Sequence, residues 1–141
     1  MTKRHYIVLL IPLLLSAALA RADTVVIVSA SSDVAVMSKR EVIDLFMGRY
    51  VVFPNGKAAQ LLDQAHESKA RQKFYKTLTG KNSAQINAYW ARLIFTGRAH
   101  PPKEVMSDQA IIDLVSDSPN AIGYVDEKTI NKNVKVVLKL H

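Results

Sequence analysis

The sequence contains no cysteine. That excludes a disulfide framework, a thiolate nucleophile, a Cys-based zinc site, an iron–sulfur cluster and a lipoprotein anchor, which needs a Cys at its cleavage site. Equally absent are a nucleophile elbow, a glycine-rich phosphate loop and an HExxH pattern. Beyond the first two dozen residues, His66, His100 and the terminal His141 are the histidines, and none stands at metal-ligand spacing with a second ligand on one helix face. These absences argue against catalysis and imply no cofactor and no metal. Nor is there a second long hydrophobic run, an internal repeat or a low-complexity tract. The charge excess is modest: +7 overall, falling to +4 once Lys3, Arg4 and Arg21 are set aside. Without clustered Arg and Lys or aromatic platforms, this does not describe a nucleic-acid binder.

Lys3 and Arg4 are followed by an apolar stretch from Tyr6 to Ala20, then by Ala20, Arg21, Ala22, the small-x-small form read by signal peptidase. The stretch is shorter than the roughly twenty residues of a membrane-spanning helix. The pattern therefore predicts an export signal over residues 1–22, with no membrane insertion after cleavage, and a periplasmic protein over 23–141. With 49% hydrophobic against 22% charged residues, that remainder is apolar enough to fold as one domain.

Hydrophobic patterning then alternates strands with helices. Val25 to Val28 has no polar member and suits a strand buried on both faces. It runs into a small polar loop, Ser29 to Asp33. Ser38 and Glu41 have capping-box spacing, which starts a helix carrying Val42, Leu45 and Phe46 toward Gly48. Tyr50 to Phe53 with Pro54, Asn55, Gly56 reads as an extended arm and tight turn, and Ala58 to Leu62 as a second strand. Ser68 opens a helix with Ala70, Phe74 and Leu78 at four-residue steps, closed by Gly80. Ser83 is assigned as the cap of a third helix, whose Ile86, Trp90, Leu93 and Ile94 form a buried stripe. Ser107 or Asp108 opens a fourth, stopped by Pro119. Ala121 to Val125 and Val134 to Leu140 are the last strands, the latter alternating Val134, Val136, Leu138 and Leu140 against Lys135 and Lys139 as an edge strand does. The fold class is α/β, a mixed sheet with helices packed on it.

Serines at helix starts point to anion capture. A helix amino terminus offers unpaired amides and partial positive charge, and a hydroxyl adds a donor. A helix at Ser68 opening beyond the carboxyl end of a strand would bring Gln64, Ser68 and Lys69 toward the loop of Ser29, Ser31 and Ser32. These six residues are the candidate ligand site. Phe74 and Trp90 fall on apolar stripes and are assigned to the core.

The order of segments carries a further signal. The run from Val25 to Leu78 comprises an apolar strand, a serine loop, SKREVIDLFMGR, an FPNG turn, a strand and HESKARQKFY. With Tyr89 to Gly97 and Ala121 to Val125, it resembles the phosphate-binding proteins of ABC transporters, in the type 2 periplasmic solute-binding superfamily, in a short single-lobe form. The resemblance implies a phosphate-type ligand held between two lobes, by a serine, glycine, threonine sequence at a helix start and an arginine just upstream. Here Ser68 keeps the serine, whereas Lys69 stands at the glycine, Ala70 at the threonine and Gln64 at the arginine. It further implies an ABC permease or sensor as partner, and one lobe offers only half a cleft, so that closing on an anion calls for a homodimer or another partner. The alternative is a lobe without ligand that serves as a protein-interaction module in the envelope. A third reading, from charge alone, is attraction to anionic envelope polymers.

Overall fold

The structure, a computed structural model, describes residues 23–141; the export signal expected over 1–22 and its cleavage point lie outside the described residues. The elements are β1 (Thr24–Ser29), α1 (Lys39–Phe46), β2 (Gln60–Gln64), α2 (Lys69–Thr79), α3 (Ser83–Phe95), β3 (Lys103–Val105), α4 (Asp108–Asp117), β4 (Ala121–Asp126) and β5 (Val134–Leu140). Among the described residues the strands form one mixed sheet in the order β3-β2-β4-β1-β5. β2 runs parallel to β3 and to β4, while β1 is antiparallel to both of its neighbours. The mixed α/β architecture expected from the sequence is the one observed.

Helices cover both faces. Val26 and Val28 of β1 point into a core shared with Phe46, Phe74, Ile86 and Trp90 of α1, α2 and α3. Val25 and Ile27 point the other way, against Ile111, Ile112 and Val115 of α4. This is why the β1 run has no polar member: both of its faces are packed.

Local signals set most boundaries. Ser38 caps α1 in a reciprocal box with Glu41. Gly48 has φ +71°, and a Cβ there would stand 2.8 Å from Cη2 of Trp90, so both its conformation and the packing of α3 require glycine. Ser68 caps α2 and Ser107 caps α4.

Five expectations are corrected. β2 begins at Gln60 rather than Ala58, because Ala58 belongs to the hairpin arm, where it bridges Val52. α3 is capped by Asn82, whose box with Gln85 leaves Ser83 as the first helical residue. Ala70 is exposed and Arg71 takes its place on the buried stripe of α2, with Phe74, Tyr75 and Leu78. Ile94 lies 53% exposed, on the side of α3 that lines a cavity rather than the core. In β5 the buried residues are Val134, Val137 and Leu140, because a register shift pairs Val26 with Leu138 and Ile27 with Val136 and displaces Val137. Val137 instead accepts a hydrogen bond from the Met37 amide at 2.9 Å.

Candidate functional site

β2, β3 and β4 end at Gln64, Val105 and Asp126 along one edge of the sheet, and α2 and α4 start from that edge. The short loop Ala65 to Ser68 turns the chain from β2 into α2, with the Ser68 amide donating to the Ala65 carbonyl at 2.9 Å. Helix starts at the carboxyl edge of parallel strands direct first-turn amides toward whatever lies beyond the sheet. A cavity of about 250 Å³ lies there, lined by Lys69, Ala70, Lys73, Asp108, Tyr124 and Asp126 among others.

Gln64, Ser68 and Lys69 are brought together at this edge. Ser68 is a helix cap, its Oγ accepting from the Arg71 amide at 3.1 Å; the hydroxyl proton is not used in that bond. Lys69 is exposed. Gln64 is buried, and its side-chain N–H₂ donates to Asp108 Oδ1 at 2.6 Å and to the Tyr124 carbonyl at 3.0 Å. The donor that the sequence offers to a ligand is thus spent inside the protein, on a carboxylate that also accepts from the Asp126 amide at 3.0 Å.

Ser29, Ser31 and Ser32 do not converge with them. Because β1 is antiparallel to β4, pairing Val28 with Ile122 and Thr24 with Asp126, its carboxyl end lies at the opposite edge. Gln60, level with that end, is four strand residues from Gln64, about 13 Å at the usual rise. Ser29 is buried there, its Oγ bonded to Ser31 Oγ at 2.9 Å and donating to the Ser116 carbonyl at 3.4 Å. Ser32 Oγ accepts from the Val34 amide.

Beneath the α2 opening lies a buried polar network that the sequence reading missed. Asp63 Oδ1 accepts from the Tyr124 hydroxyl and from the Gln64 amide at 2.8 Å. Its Oδ2 accepts from Tyr75 Oη at 2.9 Å and from Arg71 Nε at 3.2 Å. Arg71 also donates through Nη1 to Asn87 Oδ1 at 3.3 Å and lies 5.0 Å from the Tyr75 ring centroid. Burial, followed by the Asp63 charge, pushes both phenols well above their ordinary pKa. The available signal was Arg71 itself, a charge at an apolar-stripe position of α2, and Asp63 at the end of an apolar strand. Among the described residues no group of three or more His, Asp or Glu is placed to hold a metal ion, and no helix is long and apolar enough to cross a membrane.

No protein-family model and no curated protein matches the chain. Solved structures do. An ABC-type phosphate transport receptor from Vibrio cholerae aligns with a TM-score of 0.65 at 14% identity, over 82% of this chain and 45% of its own. A phosphate-bound protein of Clostridium perfringens aligns with a TM-score of 0.65 at 15% identity, over 82% and 44%. PstS from Borrelia burgdorferi gives 0.63 at 12%, over 82% and 46%. The chain spans less than half the length of these structures. It has, over that span, the fold of phosphate transport receptors of the ABC type.

Proposed function

We propose that the chain binds an inorganic oxyanion, phosphate first, without catalysing a reaction on it, and serves uptake or sensing as an exported protein. The observation that carries this is the α2 opening, whose first residues Lys69 and Ala70, with Lys73, line one cavity at the carboxyl edge of β4, in a fold whose neighbours include a phosphate-bound protein. Helix polarity and lysine charge favour an anion there, against the carboxylates of Asp23, Asp108 and Asp126 on the same cavity, of which Asp108 is occupied by the Gln64 side chain and the Asp126 amide. Ser68 and Lys69 are the donors of this proposal. Gln64 contributes by tying down Asp108, and the Ser29 to Ser32 loop stands outside it. One lobe leaves an anion open to water, so a second surface completes the site, either another copy of this chain or an envelope partner such as an ABC permease.

Thermal unfolding of the 23–141 chain with and without phosphate tests the proposal. At a hundred times the dissociation constant, bound ligand adds about 2.7 kcal/mol of stability, and Lys69→Glu should abolish the shift. No shift at millimolar phosphate or sulfate overturns it. The second reading, an interaction module without solute, is favoured by three consecutive exposed apolar residues, Tyr50, Val51 and Val52, a run that a solitary surface would not keep.

A further inference from the structure

The other flank of α2 carries a second cavity, of about 270 Å³, closed by α3 and the Pro101–Pro102 segment. Its wall is one face of α3, with Asn87, Trp90, Ala91 and Ile94 at helical spacing. The buried Arg71, Asp63 and Gln64 also line the cavity.

Arg71 and Asn87 bring N–H donors to this wall, beside the acceptor oxygens of Asp63, Gln64 and Glu104. A guanidinium has five N–H groups; Arg71 uses Nε on Asp63 and Nη1 on Asn87, and no partner among the described residues takes Nη2. With its Oδ1 occupied by Arg71, Asn87 has its N–H₂ left to donate. Trp90 is 95% buried; its indole N–H has no partner among the described residues and is itself shut off from solvent, so it is not among the donors open to a ligand. On the acceptor side, both oxygens of Asp63 are already filled. What would complete this arrangement is an acceptor-rich group at the Arg71 end, joined to an apolar body against Ile94, Pro101 and Pro102; because Arg71 is already paired with Asp63 at 3.2 Å, the group meets the free N–H donors rather than an unmet charge. Glu104 stands at the rim, where a second negative charge on the ligand would be opposed. A carboxylate presents two acceptor oxygens in the geometry a guanidinium fork matches, with a single charge.

We propose that this cavity binds a small monocarboxylate with an apolar chain, its carboxylate on Arg71 and Asn87 and its chain along Ile94 and the two prolines. Lys69 and Lys73 line the other cavity, so the inference stands apart from oxyanion binding at the α2 opening.

Trp90 is the single tryptophan of the chain, so its emission reports this cavity directly. The probe is 4-methylpentanoate, titrated against the wild-type 23–141 chain. A saturable emission change is expected, at least tenfold weaker with 4-methylpentanamide, which has the same shape without the charge. Ile94→Glu places a like charge at the exposed rim and should weaken binding at least tenfold with an unchanged unfolding midpoint. Arg71→Gln should abolish the response and is read only where its circular dichroism matches wild type; Ile94→Glu carries the test otherwise. No saturable change up to 10 mM, an equal response to the amide, or displacement by equimolar phosphate overturns the inference. Phosphate failing to stabilise the protein leaves this readout untouched.

Discussion

Asp63 shows how one residue organises the neighbourhood of the α2 opening. It is a buried carboxylate surrounded by two phenols, an amide and a guanidinium, and these donors offset the cost of holding a charge away from water. Tyr124 also stacks on Phe74 with ring centroids 3.6 Å apart, so the polar network is anchored in the aromatic core. Beside it, Gly123 lets α4 approach the sheet, since a Cβ there would stand 2.7 Å from Cγ2 of Ile111. The tyrosines have a consequence for pH. Burial raises both phenols, so the folded chain keeps protons that the unfolded chain releases above about pH 10. Stability from this source is complete below that pH and falls above it, by about 1.4 kcal/mol per pH unit for each tyrosine. Urea unfolding between pH 8 and 11 should show this alkaline decline, and the Tyr75→Phe, Tyr124→Phe double variant should flatten it. An unchanged slope in that variant would assign the decline to other groups.

Among the elements, the helix caps were the most legible features. Ser38 with Glu41, Ser68 and Ser107 act within a few residues of themselves, and each is found capping. At α3 both Asn82 and Ser83 suit a cap and lie side by side, and the Gln85 side chain decides for Asn82. β3 was missed altogether, since Lys103, Glu104 and Val105 offer no apolar run and pair only because β2 lies alongside. The bulge at Val137 was invisible for a related reason: it depends on register against β1, whereas alternation within β5 is a local pattern. Ser68→Ala should cost about 1 kcal/mol in urea unfolding through loss of the cap. If the hydroxyl also meets the anion, phosphate affinity falls in the same variant by more than tenfold; a stability loss with unchanged affinity makes Ser68 a cap alone.

Across the whole molecule, β1 is the keystone, hydrogen-bonded to β4 and β5 and packed on both faces by opposite cores. The arm around Val52 and Ala58 is held by one buried side chain, Phe53, an isolated bridge, a few backbone bonds and the exposed Lys57–Asp33 pair. Hydrogen exchange should therefore divide the chain: β1 and β4 amides open only with global unfolding, whereas amides of the arm exchange through local opening. Equal protection in the two regions would refute this account. On its own, the sequence determined that the chain alternates strands and helices and that its first strand is packed on both faces, because periodicity and caps are properties of neighbouring residues. Only the tertiary structure decided which end of the sheet each serine reaches, that Asp108 occupies the Gln64 amide, and that Arg71 closes on Asp63. Strand direction and side-chain pairing are settled by contacts between residues far apart in the chain, such as Gln64 with Asp108 and Val28 with Ile122, and local patterning carries no record of them.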